Sequence, residues 1–163
     1  MVTVKMVGGD KAQARIRALT LVYTDLTEPF KLLGAYVRSE FQSIFDKQGD
    51  PEAFEPLSRT YAKWKQSKVG NKPIMQLTGT LLNAFTIVGY KGSSSELNEQ
   101  AGEVENVTVI GARTARFGAR SPYVYSQFKA GRKILQWTDA RRDKSLAVMS
   151  SWFFKKADTI FKK

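Results

Sequence analysis

The side chains with the strongest chemical leaning lie between Arg113 and Lys133, where Arg113, Arg116, Arg120, Lys129, Arg132 and Lys133 interleave with Phe117, Tyr123, Tyr125 and Phe128. Cations at that spacing pair with phosphate or carboxylate oxygens, and rings between them stack on bases, so the mixture suits a nucleic-acid groove. It arises equally when the rings fill a core and the charges form its solvated rim. On the residues alone both readings stand. No helix-turn-helix or other groove-reading motif accompanies the segment, which argues against sequence-specific DNA recognition.

Catalytic chemistry has little to work with. The 163 residues contain neither cysteine nor histidine, which removes thiolate metal sites, disulfides, cysteine nucleophiles and the Ser-His-Asp triad together. Carboxylates stand at Asp10, Asp46, Asp50 and Glu52, but without the spacing of a calcium loop or a two-metal site. There is no Walker-type loop, no GxGxxG and no HExxH. The expectation is a protein that is not an enzyme and takes no cofactor or metal.

Charge is unevenly placed. From Met1 to Ala112 there are 13 basic and 12 acidic residues, whereas Arg113 to Lys163 holds 13 basic and 3 acidic, so nearly all of the net +11 belongs to the last third. That asymmetry points to a polyanion or to an acidic surface on a partner; a solubilising basic face with no partner would produce it too. No apolar run approaches the roughly 18–20 residues of a membrane span, and Met1–Asp10 lacks the features of a secretory signal. A chain without a membrane contact, made in a host cytoplasm, is expected.

The elements that must position these residues follow from periodicity. Phe30, Leu33, Val37, Phe41 and Ile44 are spaced by three or four residues and predict a long amphipathic helix with Thr27 as cap and Pro29 in its first turn; such an aromatic stripe is core. A weaker helix is expected over Lys11–Tyr23, a short one over Ser58–Gln66 capped by Ser58, and a closing one from Thr138 with Leu146, Met149, Phe153, Ala157 and Ile160 on one face. Met1–Gly9 resembles a short strand and turn. A strand over Phe85, Ile87 and Val88 and another over Val107, Val109 and Ile110 should pair as a long hairpin, its loop made acidic by Glu96, Glu99, Glu103 and Glu105. Ser121–Phe128 reads as a short helix and Lys133–Trp137 as a brief strand. Length and the absence of a linker indicate a single domain over 1–163. The class is α+β: N-terminal helices, an antiparallel sheet with a long hairpin, and a C-terminal helix packed on one face.

Three segments, in order, carry a resemblance: FEPLSRTYAKWK (Phe54–Lys65), KPIMQLTGTLLNAF (Lys72–Phe85) and SPYVYSQFKAGRKILQWTDA (Ser121–Ala140). Together they resemble the phage virion morphogenesis family, the tail completion proteins of Mu-like and related tailed phages. Ser126 stands where that family often has His, and Lys129-Ala130-Gly131 where it has an earlier Gly. The resemblance implies motif positions of structural importance at Pro56, Leu57, Ser58, Thr78, Gly79, Leu81, Pro122, Tyr123 and Gln127. It further implies a homo-oligomer, a hexameric ring in the virion neck, that completes or terminates the tail. Its partners would be the tail tube and the head connector or stopper proteins, with genomic DNA passing through the lumen. The six cations named above are then a partner-facing or DNA-facing surface; the alternative is a non-specific DNA-binding protein. Independently of the family, Thr78 and Gly79 suit a tight turn that starts a helix, because glycine accepts positive φ without penalty.

Overall fold

The strongest periodicity in the sequence becomes the spine of the fold. A computed structural model describes residues 9–93, 103–121, 130–134 and 136–162, and the stripe from Phe30 to Ile44 lies along α2 (Thr27–Asp46). Val37, Phe41, Ile44 and Phe45 are buried, each contributing about 1.5–3 kcal/mol of transfer free energy. The cap differs from the expectation. Leu26 holds the N-cap position with no side-chain hydrogen bond, while the Thr27 amide donates to Asp25 Oδ1 at 2.9 Å. Hydrogen bonds from Thr27 hold the Asp25 carboxyl below its ordinary range.

Around α2 come α1 (Gly9–Thr24), α3 (Arg59–Val69), α4 (Thr80–Thr86) and α5 (Asp139–Phe161), with one antiparallel sheet of β1 (Lys91–Ser93), β2 (Glu103–Ile110) and β3 (Ala115–Arg120) in that order. The architecture is α+β, with helices at the N-terminus and one at the C-terminus. Ser58 caps α3 by accepting from the Tyr61 amide, and Thr138 caps α5 by accepting from that of Arg141. Gly79, at φ 84°, turns the chain into α4, with the Thr78 hydroxyl accepting from the Thr80 amide. Leu81 and Leu82 pack against the core.

That core is a sandwich of α2, α4 and the inner sheet face. Phe85 lies 4.5 Å from Phe41 between ring centroids and 6.1 Å from Phe45, and Ile134 closes the cluster at 2% exposure. Register decides which residues face inward. Pairing of Thr108 with Phe117 and of Asn106 with Ala119 places those residues on one face, and Glu105 with Arg120, Val107 with Gly118 and Val109 with Arg116 on the other. Gly34 explains how closely sheet and helix meet. A Cβ there would lie 2.6 Å from the Phe117 ring.

Three expectations are corrected. Phe85 is helical, because Leu81, Ala84 and Phe85 share the face that buries against α2. Ile87 and Val88 form the turn before Gly89 at φ 73°, so the strand begins only at Lys91. Glu103 and Glu105 belong to β2, not to a loop tip. Among the described residues of Lys133–Trp137 there is no strand; side chains pin that stretch instead, Ile134 in the core and Lys133 and Gln136 on Glu52. Conversely, β3 arises in a stretch read only as basic. The expected N-terminal strand, Glu96, Glu99, the short helix carrying Pro122, Tyr123 and Gln127, and Lys129 lie outside the described residues, apart from Gly9, which opens α1, and Ser121.

Candidate assembly surfaces

The outer sheet face follows directly from strand register. Across the three strands Lys91, Glu105 and Arg120 stand opposite one another, so opposite charges alternate along one row. Arg120 Nη1 meets Glu105 Oε1 at 2.9 Å with the arginine 79% exposed, a pair worth at most about 1 kcal/mol in water. The next rows hold Val107 beside Gly118 and Val109 beside Arg116. Val109 is 56% exposed. Arg113, in the β2–β3 turn, and Arg116 are exposed and carry no ion pair among the described residues. This face offers cations beside bare aliphatic surface, a combination suited to an acidic or phosphate-bearing partner.

Arg132 and Lys133 are held by other elements. Arg132 Nε donates to the Glu55 carbonyl at 2.9 Å and its Nη2 to that of Pro56 at 3.1 Å, while Lys133 Nζ lies 3.5 Å from Glu52. Their contacts fasten the 130–134 segment to the loop before α3. The six sequence-predicted cations therefore divide: Arg113, Arg116 and Arg120 ride on the hairpin, Arg132 and Lys133 bind a loop, and Lys129 lies outside the described residues. Of the family motif positions, Ser58, Thr78, Gly79 and Leu81 serve caps, turns and core as described, Leu57 is half-buried, and Pro56 lends its carbonyl to Arg132.

Near that loop sits a buried cation. Lys65 is 3% exposed and its Nζ donates to the Pro73 carbonyl. Burial, then the charges of Lys72 and Arg132, pull its pKa below the ordinary lysine value, because desolvation disfavours the ammonium. Periodicity gave no hint of it, since an exposed helix face is the usual place for lysine.

The other internal charge is Arg141, which fastens α5 to α2. Its Nε donates to Glu40 Oε2 at 2.9 Å and its Nη1 to the backbone carbonyls of Gln136 and Asp50 at 2.9 and 3.1 Å, while Nη2 lies 3.3 Å from Asp50 Oδ2. The planar guanidinium fills a fixed set of acceptors, which a lysine ammonium cannot reproduce. Arg141, Glu40 and Asp50 line a cleft of about 330 Å³ with Tyr36, Lys47 and Lys144. Its carboxylates are already paired, and desolvation followed by Glu40 pushes the Tyr36 hydroxyl above its ordinary pKa. Asn106 is a third polar joint: its Nδ2 donates to the Ala84 carbonyl at 2.8 Å and its Oδ1 accepts from the Thr108 hydroxyl at 2.6 Å, tying α4 to β2. Among the described residues no three carboxylates gather, and no helix is long and apolar enough to cross a membrane.

These features are joints and exposed faces, and comparison with known proteins bears on what such a scaffold is for. No curated protein and no solved structure matches the chain. The sequence profile of the phage virion morphogenesis family, however, matches residues 8–145, from the start of α1 through the hairpin to the Arg141 joint. With most of its length under that match, this chain belongs to the phage virion morphogenesis family.

Proposed function

We propose that this protein is a structural component of the tailed-phage neck, a tail completion or head–tail joining subunit that works as a homo-oligomeric ring. The single observation carrying this reading is membership of a family of phage virion structure and assembly proteins. Supporting it is a surface divided by charge and polarity. Rings grow through heterologous contacts, in which one patch meets a different patch on the next copy. Arg113 and Arg116 beside Val109 provide one such patch, and an acidic partner surface would be guided to it by complementary fields.

The test is made in the particle. Phage in which the gene carries Arg113→Glu, Arg116→Glu and Arg120→Glu should give full heads and separate tails by negative-stain microscopy, with joined particles reduced at least tenfold. Normal joining by the triple variant refutes the role of this face; normal joining after deletion of the gene refutes the neck assignment itself. A second reading, non-specific DNA binding, draws on the same exposed Arg113 and Arg116. It requires the isolated protein to shift DNA with an affinity that collapses between low and physiological salt.

A further inference from the structure

Helix α1 runs sixteen residues without one buried side chain, and the twenty-three residues of α5 bury only Arg141 and Ser145, both in its first two turns. The remainder of α5 pairs with α1 as a two-helix arm. Tyr23 stacks on Phe153 with centroids 5.0 Å apart, and the Arg15 guanidinium lies 5.8 Å above the Phe161 ring. The eight-residue step from Arg15 to Tyr23 matches that from Phe153 to Phe161, so the helices run antiparallel in one register, with Ile16 level with Ile160. A sixteen-residue helix is marginal by itself in water. One neighbouring helix does not cover this arm.

Leu21 and Leu146, 70% and 59% exposed, stand apart; the other apolar residues it leaves bare are ordered. Ile16 and Tyr23 on α1 are 63% and 57% exposed, and Phe154 and Phe161 on α5 are 75% and 52% exposed. Each pair is separated by seven residues and so forms a stripe along its helix. On α1 the stripe stands about 100° ahead of the half-buried Arg15, Ala18, Leu19 and Val22; on α5 it stands about 100° ahead of the half-buried Met149, Phe153 and Ile160. In antiparallel helices those two rotations carry both stripes to the same side of the arm. Arg15 borders the joint face at the Phe161 ring and Asp158, paired with Lys162, flanks its outer edge, while Ala147, Ser150 and Ala157 supply small residues beside the aromatic ones.

We infer that this face packs against the same face of a second copy, so that two arms form a four-helix bundle in the free protein. The matched seven-residue steps make the surface self-complementary. A two-fold axis running along the arm preserves the level of every residue and sets α1 against α5 of the second copy, antiparallel. Ile16 then meets Phe161 of that copy and Tyr23 meets its Phe154, each contact occurring twice, as an isologous interface requires. The area is sufficient. With aromatic side chains offering about 150–250 Å² each, the four residues leave on the order of 500 Å² bare per copy, and pairing removes on the order of 1,000 Å² in total before their small neighbours count. A patch of that size at the upper end of what monomers expose marks an interaction site. Because the pair satisfies itself, it does not propagate into a ring, and it belongs to the protein before incorporation. It does not rest on the neck assignment.

The cleanest test is light scattering behind a sizing column at about 100 μM, with the far-UV spectrum as a check on folding. The wild type should elute with twice the 18.3 kDa of one chain. Phe154→Asp and, on the facing helix, Ile16→Asp should each weaken association at least a hundredfold, while Val88→Asp in the exposed turn before β1 should leave it unchanged. A single-chain mass for the wild type, undiminished association of Phe154→Asp, or dissociation by Val88→Asp alone overturns the proposal. A neck protein that is monomeric in solution would refute this inference and leave the proposed function standing.

Discussion

Truncating Arg141 to alanine should loosen the docking of α5 on α2 and cost about 2–4 kcal/mol. Removing one partner of a buried ion pair typically costs about 3–5 kcal/mol. Here Glu40 and Asp50 are 28% and 31% exposed on the side chain against 6% for Arg141, so water screens part of what the arginine leaves behind. Two backbone carbonyls, Gln136 and Asp50, also lose their donor. In a chain of this length the loss corresponds to a fall in Tm of about 5–15 °C. Urea unfolding followed by tryptophan fluorescence reads it as a lower midpoint at constant slope, and Trp152 lies on the affected helix. Arg141→Lys keeps the charge but loses the planar fork, and should cost about 1–2 kcal/mol. The reasoning fails if Arg141→Ala costs under about 1 kcal/mol, or if lysine is no better than alanine.

Gly34→Ala should destabilise by about 1–2 kcal/mol despite alanine's better helix propensity, because its Cβ falls 2.6 Å from the Phe117 ring and overpacking outweighs the propensity gain; Phe117→Leu in the same chain should restore part of the loss. Asn106→Ala removes the bond that satisfies the Ala84 carbonyl and should cost about 1–3 kcal/mol, with faster amide exchange in α4 as the local sign. The hydrogen bond from Lys47, reinforced by the charges of Lys47 and Arg141, holds the Asp50 carboxyl below its ordinary 3.8. A carboxyl depressed on folding contributes stability above the unfolded pKa and loses it as pH falls through the folded one, so Asp50→Asn should unfold with a shallower acid limb below about pH 4. Equal acid limbs for Asn and Asp would contradict that assignment.

How much of this was legible in the sequence depends on whether a residue announces itself by spacing. α2 did, since five apolar residues at helical intervals have one solution, and Ser58 and Thr138 signalled their helices by type and position. The strand ending at Val88 failed because Leu81, Ala84 and Phe85 satisfy a helical period as well as Phe85, Ile87 and Val88 satisfy an extended one; contact with Phe41 decides between them. β3 escaped notice because its inner face holds just Ala115, Phe117 and Ala119, too little apolar alternation to stand out among arginines. Arg141, Lys65 and Asn106 were invisible for a different reason. Their roles are set by acceptors distant in sequence, such as Glu40 for Arg141, and no local pattern encodes that.

The basic last third of the chain illustrates the same limit and changes meaning once folded. Arg141 is internal, Arg120 faces Glu105, Lys133 faces Glu52, Arg142 faces Asp139, and Lys162 faces Asp158 at 2.6 Å. Most of these pairs are exposed and stabilise little, yet each lowers the field that a partner would feel. Arg113 and Arg116 are exposed at the end of a hairpin without an ion pair among the described residues, beside apolar surface. Lys144, Lys155 and Lys156 on α5 are exposed and also without an ion pair among the described residues, so a partner attracted by charge meets cations on two elements, the hairpin and α5, and only those on the hairpin sit beside Val109. Under the proposed function, the hairpin cations beside Val109 would confer orientation through geometry more than affinity through total charge.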